Sequence, residues 1–150
     1  MTEIKLNRIE IDGVSYPLYC DLNVLEKAQE EFESINQFER DLIGLEIIRD
    51  DKGEPIYDNE GYIMKSQGEP KIKAVSFALR EMIREGQKVE ERQDGIEPAE
   101  ITGEELIELC DIGFQELSIK LHQEFNRCFE SKKKKKITKT SKTRPKKSTI

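Results

Sequence analysis

The chain has 150 residues, of which 35 % are hydrophobic and 37 % charged, a polar balance that leaves room for one modest core and little more. No apolar run approaches the ~18 residues that cross a bilayer, and the opening Met1-Thr2-Glu3-Ile4-Lys5 lacks the basic-then-apolar order of a secretory signal, so a soluble protein that stays in the cytoplasm is expected. The net charge of −6 hides a segregation: residues 131–150 hold ten Lys/Arg and no acid, which leaves residues 1–130 at −16, a body that repels nucleic-acid phosphates.

Ile4-Lys5-Leu6-Asn7-Arg8-Ile9-Glu10-Ile11 alternates apolar and polar at period two, and Val14-Ser15-Tyr16-Pro17-Leu18-Tyr19 follows after Asp12-Gly13. An Asp-Gly pair between two such runs predicts a hairpin, because a tight primed turn needs positive φ at both central residues. Pro17 lacks the N–H of a ladder, which predicts a short or edge second strand. The period then changes. Leu22, Leu25, Ala28 and Phe32 share one face of a helix that Asp21 or Asn23 can cap. A second short helix spans Ile35 to Leu42, with Gly44 near its end.

Residues 45–68 read as a meander of short strands joined by Asp-Asp-Lys-Gly and Asp-Asn-Glu-Gly turns. The calcium-loop spacing, with Glu twelve residues on, is missing, so turn chemistry accounts for these acids. Pro70 can open the next helix, whose stripe of Ile72, Val75, Leu79, Met82 and Ile83 is widened by Ala74, Phe77 and Ala78 and is expected to end at Gly86. Residues 87–101, with Gly95 and Pro98, read as a surface loop. Thr102-Gly103-Glu104-Glu105 is a capping box opening a short helix through Leu106, Ile107, Leu109 and Cys110. A last helix, about 112–129, carries Phe114, Leu117, Leu121, Phe125 and Cys128 at three- or four-residue steps. That stripe faces the core or, in part, docks another protein. The same two readings hold for the Leu25/Phe32 face.

These elements predict an α+β fold: one domain over residues 1–130, with an N-terminal β-hairpin and a short β-meander packed against four to five α-helices. Cys20, Cys110 and Cys128 form no C-x-x-C pair and lie beside apolar residues, which predicts reduced, buried thiols and neither a disulfide framework nor a metal site. No phosphate loop, G-x-S-x-G or H-E-x-x-H is present, and His122 is the single histidine. Catalysis is not expected, and neither is a cofactor. With this many acids, close carboxylate pairs arise by chance.

Residues 131–150 carry ten like charges and only Ile137 and Ile150 as apolar side chains, too little to offset the entropy of ordering, so a disordered tail is expected. One reading makes it an electrostatic arm of a nucleic-acid-associated accessory protein, although it has no aromatic residue to stack on bases. Another concerns the message. Lys132, Lys133, Lys134, Lys135 and Lys136 are encoded by codons that are almost all adenine, where a ribosome can slip and attach a different C-terminal extension. A third is a plain solubilising tail.

The order of elements resembles the small tail assembly chaperones of long-tailed bacteriophages and prophages. The likeness runs from residue 4 to about 130. It lies in the opening hairpin Ile9-Glu10-Ile11-Asp12-Gly13-Val14-Ser15-Tyr16-Pro17-Leu18, in Leu22-Asn23-Val24-Leu25-Glu26-Lys27-Ala28-Gln29-Glu30-Glu31-Phe32, in Phe77-Ala78-Leu79-Arg80-Glu81-Met82, in Ile101-Thr102-Gly103-Glu104-Glu105-Leu106-Ile107 and in the closing amphipathic helix. The long meander at 45–68 departs from the pattern. The resemblance implies a non-enzymatic protein of the host cytoplasm that keeps the tape measure protein soluble and, through a longer frameshifted form, recruits tail tube subunits. Contact through Leu25, Phe32, Phe114, Leu117, Leu121 and Phe125 is then expected, with self-association along one client and no membrane or nucleic-acid partner.

Overall fold

The computed structural model describes residues 4–130. The expected disordered tail, including Lys132 to Lys136, lies outside the described residues. The elements run β1 (Asn7–Ile11), β2 (Val14–Leu18), α1 (Leu22–Phe32), α2 (Ile35–Ile43), β3 (Leu45–Ile47), β4 (Lys65–Gln67), α3 (Ile72–Asp94), α4 (Gly103–Leu109) and α5 (Phe114–Cys128). This is an α+β fold of two antiparallel hairpins and five helices. None of these helices is long and apolar enough to cross a membrane.

The first hairpin forms as its turn chemistry requires. Asp12 and Gly13 both take positive φ, 52° and 79°, and β1 pairs with β2 in the register Ile9↔Tyr16 and Ile11↔Val14. Period two sends Ile9, Ile11, Tyr16 and Leu18 into the core. Each strand is an edge in a two-stranded sheet, which is where Pro17 is tolerated. The exposed edge of β2 does not stay unpaired: just beyond it, the Tyr19 N–H donates to the Met82 carbonyl of α3 at 3.0 Å.

That contact changes the reading of Gly86. The helix expected to stop there continues to Asp94 and is capped by Gly95 instead. Gly86 is in the middle of α3 because the backbone of the first hairpin lies directly on it. A Cβ at Gly86 would sit 2.4 Å from the Pro17 carbonyl oxygen. The extra turns bury Val89 and bring Glu90 to Arg8 of β1, 2.6 Å away. The expected loop at 87–101 is therefore reduced to residues 95–101.

The meander is also rearranged. β3 and β4 pair at its base, and beyond them are only the isolated bridges Arg49↔Pro55 and Tyr57↔Ile63. Three residues spaced eight apart close a ring of backbone hydrogen bonds. Ile48 N–H donates to the Met64 carbonyl at 2.9 Å, Met64 N–H to the Ile56 carbonyl at 2.8 Å, and Ile56 N–H to the Ile48 carbonyl at 3.0 Å. Two equivalent Asp turns separate them. Asp50 Oδ1 accepts the N–H groups of Lys52 and Glu54, and Asp58 Oδ1 those of Glu60 and Tyr62, all at 2.9 Å. The two aspartates thus serve as Asx-turn acceptors.

Three of the five helix starts carry a side-chain cap. Asp21 caps α1 through the Val24 N–H at 3.1 Å, Ser34 caps α2 through Gln37, and Thr102 and Glu105 complete the reciprocal capping box of α4. One hydrophobic cluster joins the first hairpin to all five helices. Phe38 of α2, fully buried, is its aromatic hub, with ring centroids of Phe32, Phe77 and Phe125 at 5.1, 5.5 and 5.7 Å.

Candidate partner-binding groove

The six residues expected to meet a partner divide sharply. Leu25, Phe32, Leu117, Leu121 and Phe125 are 6, 6, 5, 0 and 3 % exposed. Burial places Leu25, Phe32, Leu121 and Phe125 beyond a partner's reach unless the domain opens, since Phe32 and Phe125 flank Phe38 and Leu121 belongs to the same core, whereas Leu117 keeps only an edge open, where it lines a groove with Phe114. Only Phe114, at the first turn of α5, reaches the surface, at 37 % exposure. The stripe on α5 is continuous in sequence, but its first residue lies beyond the edge of the core.

Phe114 does not stand alone. It lines an open apolar groove of about 230 Å³ with Ile72, Val75, Ser76 and Leu79 of α3, Ile107 of α4, Cys110 and Ile112 of the α4–α5 connection, and Leu117. Ile72, Ile107 and Leu109 are also exposed at this end of the molecule. An apolar groove with exposed apolar rims is the surface expected of a docking site. Its volume falls below the about 300–1,000 Å³ of sites that enclose small molecules, so it suits a few side chains of another polypeptide. Charge adds direction. Residues 93–119 contain no Lys or Arg, and Glu104, Glu108, Asp111 and Glu116 are exposed along the α4–α5 side.

A polar hollow of about 360 Å³ between α1 and α3 is lined by Lys27, Glu30, Glu31, Lys73, Phe77, Arg80 and Glu81. Its ions pair across it, Lys27 with Glu81 at 3.2 Å and Lys73 with Glu31 at 3.8 Å. His122 lies against Phe125 and meets Glu39 Oε2 through Nε2 at 2.8 Å.

Two carboxylate arrangements stand out. Asp21 and Glu85 are neighbouring carboxylates. Burial and the contact with Glu85 outweigh the Val24 N–H and hold Asp21 above the usual range. Burial alone would raise Glu85, but the hydrogen bond from Lys88 and the contact with Asp21 leave it below its usual value. Glu124 of α5 is fully buried. It accepts from the Asn7 amide and from the Cys20 N–H, both at 2.7 Å, and from Arg127 Nε at 2.9 Å. Arg127 in turn donates to the Cys20 carbonyl at 2.8 Å. Burial works against the charged guanidinium, but Glu124 more than compensates, so Arg127 is raised. This network ties β1, the β2–α1 junction and α5 together. Each member is used in holding the fold.

The three cysteines are free: Cys20 is buried, whereas Cys110 and Cys128 are half-buried. Sequence spacing concealed that Cys20 is a neighbour of the last turn of α5, which ends on Cys128: Glu124 and Arg127 hydrogen-bond the Cys20 backbone.

Among known proteins, no family model, curated sequence or solved structure matches this chain.

Proposed function

We propose that this chain acts by binding rather than catalysis, as a tail assembly chaperone of the host cytoplasm that holds apolar helical segments of a phage tape measure protein. The observation that carries the reading is the groove between α3, α4 and α5, where the exposed Ile72, Ile107 and Phe114 converge on one apolar concavity. A long helical client displays apolar stripes at three- and four-residue spacing, and helix-in-groove docking reads such a stripe. The acidic rim at Glu104, Glu108, Asp111 and Glu116 favours stripes flanked by Lys or Arg, while the −16 of residues 1–130 keeps coated clients apart by mutual repulsion. The lysine codons just after α5 supply the place for a frameshifted longer form that recruits tail tube subunits, and several copies would coat one client.

The test is co-expression with a phage tape measure protein. The client partitions into the soluble fraction and co-purifies with the chaperone. A client that stays as insoluble as it is alone overturns the reading. Salt-sensitive DNA binding that disappears when residues 131–150 are removed would instead establish the nucleic-acid-associated accessory protein.

A further inference from the structure

Cys20 and Cys128 lie at opposite ends of the domain's sequence, yet the fold fixes them together. Cys20 follows β2 and is 1 % exposed. Cys128 ends α5 and is half-buried. The last turns of α5 grip the Cys20 backbone from both sides: Glu124 accepts its N–H at 2.7 Å, and Arg127 donates to its carbonyl at 2.8 Å. Arg127 is itself held to Glu124 and lies over the Tyr19 ring at 4.7 Å. Three hydrogen bonds therefore set the position of one cysteine against the helix that carries the other, and Cys128 stands one helical turn beyond Glu124, on the face of α5 that meets Cys20.

We propose that Cys128 is a thiol-modification site that reacts with low-molecular-weight disulfides of the glutathione class, and that Cys20 resolves the product into an intramolecular Cys20–Cys128 disulfide. The roles follow from the surroundings. The contact with Cys20, with Arg127 alongside, holds the Cys128 thiol below the ordinary thiol range. The same contact and burial push the Cys20 thiol up. The thiolate is the attacking species, and electropositive, partly exposed cysteines are the reactive ones. Cys110 is half-buried too, but it lies in the stretch 93–119 that has no Lys or Arg.

In the first step the Cys128 thiolate attacks one sulfur of the oxidised disulfide. A Cys128–S–S–R bond forms, the R–S–S–R bond breaks, and one R–S⁻ leaves. In the second step Cys20 gives up its proton to solvent or to the departing thiolate and attacks the Cys128 sulfur. The Cys20–Cys128 bond forms and the second R–S⁻ leaves. One external disulfide is reduced to two thiols and the two protein thiols are oxidised. The bridge pins the last turn of α5 to the β2–α1 junction, immediately before the chain passes into its lysine-rich residues.

The experiment uses the full chain incubated with oxidised glutathione, followed by alkylation, non-reducing digestion and mass spectrometry. The expected product is a Cys20–Cys128 linked peptide, with Cys110 still alkylated and a raised Tm that dithiothreitol reverses. Cys20→Ser should accumulate a glutathione adduct on Cys128, and Cys128→Ser should leave Cys20 unmodified. Because Cys20 is buried and its variant could unfold, alkylation of the wild-type chain is followed over time as well, where Cys128 should react several-fold faster than Cys110. Modification of Cys110 ahead of Cys128, bridges only between molecules, or a wild-type chain in which Cys20 and Cys128 both remain free thiols would each overturn the assignment.

Discussion

Replacing Glu124 by Ala should be among the most damaging single changes in this domain. The carboxylate is fully buried and joins three segments distant in sequence. Its loss strands the Cys20 N–H inside the core, a cost of about 1–3 kcal/mol for an unsatisfied buried donor. It also removes the partner of Arg127, whose side chain is 33 % exposed and can recover some hydration. Removing one member of a buried pair costs about 3–5 kcal/mol as a whole. That is a large part of the roughly 5–15 kcal/mol that holds a domain folded. With a urea dependence of ~2 kcal/mol per molar, the unfolding midpoint should fall by about 2 M. Glu124→Gln keeps an acceptor oxygen and loses the charge, so its midpoint should lie between the two. Equilibrium urea denaturation followed by far-UV circular dichroism measures both. A midpoint for Glu124→Ala within about 0.5 M of wild type, on the same scale, would refute the assignment of Glu124 as the tie between β1, the β2–α1 junction and α5.

Gly86→Ala places a methyl group 2.4 Å from the Pro17 oxygen. It should therefore destabilise by about 1–3 kcal/mol, as overpacking does, although alanine is the better helix former; a Tm at or above wild type would contradict the contact. Phe38→Ala empties the aromatic hub and should cost about 3–5 kcal/mol, read as a lowered urea midpoint with the fold retained. Asp21→Asn preserves the cap of α1 and removes a like-charge contact with Glu85. Because the folded protein holds Asp21 above its ordinary 3.8, its ionisation costs stability as pH rises through that raised value. Glu85, held below its ordinary 4.5, acts oppositely, stabilising above that value and losing the contribution as pH falls. The Asn variant should thus gain Tm over wild type at pH 7, with the difference shrinking as pH falls through the raised value of Asp21 and lost below its ordinary 3.8; a gain that grows on acidification would reverse the sign.

What was legible in the sequence was local. Asp12-Gly13, the Thr102–Glu105 box and the Asp21 cap each act within four residues, and each formed as expected. Gly86 was misread because glycine marks a helix end only when nothing else needs the missing Cβ. Here β2 needs it, and the pairing of α3 with Pro17 spans most of the domain. The turns at Asp50 and Asp58 were readable, but the ring of Ile48, Ile56 and Met64 was not, since side-chain alternation does not say which backbone closes on which. The helical spacing of Phe114, Leu117, Leu121 and Phe125 put them on one face without saying where the core stops. That boundary is set by α3 and α4, which leave Phe114 at the surface beside Ile72 and Ile107. For the same reason the groove, assembled from three separate segments, has no signature in any one of them, and neither has the meeting of Cys20 with Cys128.

The proposed binding role is tested most directly by hydrogen–deuterium exchange of the chain alone and in complex with its co-purified client. Protection should appear in residues 72–79 and 107–117, the walls of the groove, and Phe114→Asp should abolish both this protection and co-purification while the unfolding midpoint stays near wild type. Full binding by Phe114→Asp, or protection confined to the 45–67 segment with the groove exchanging as before, would contradict a groove-bound client.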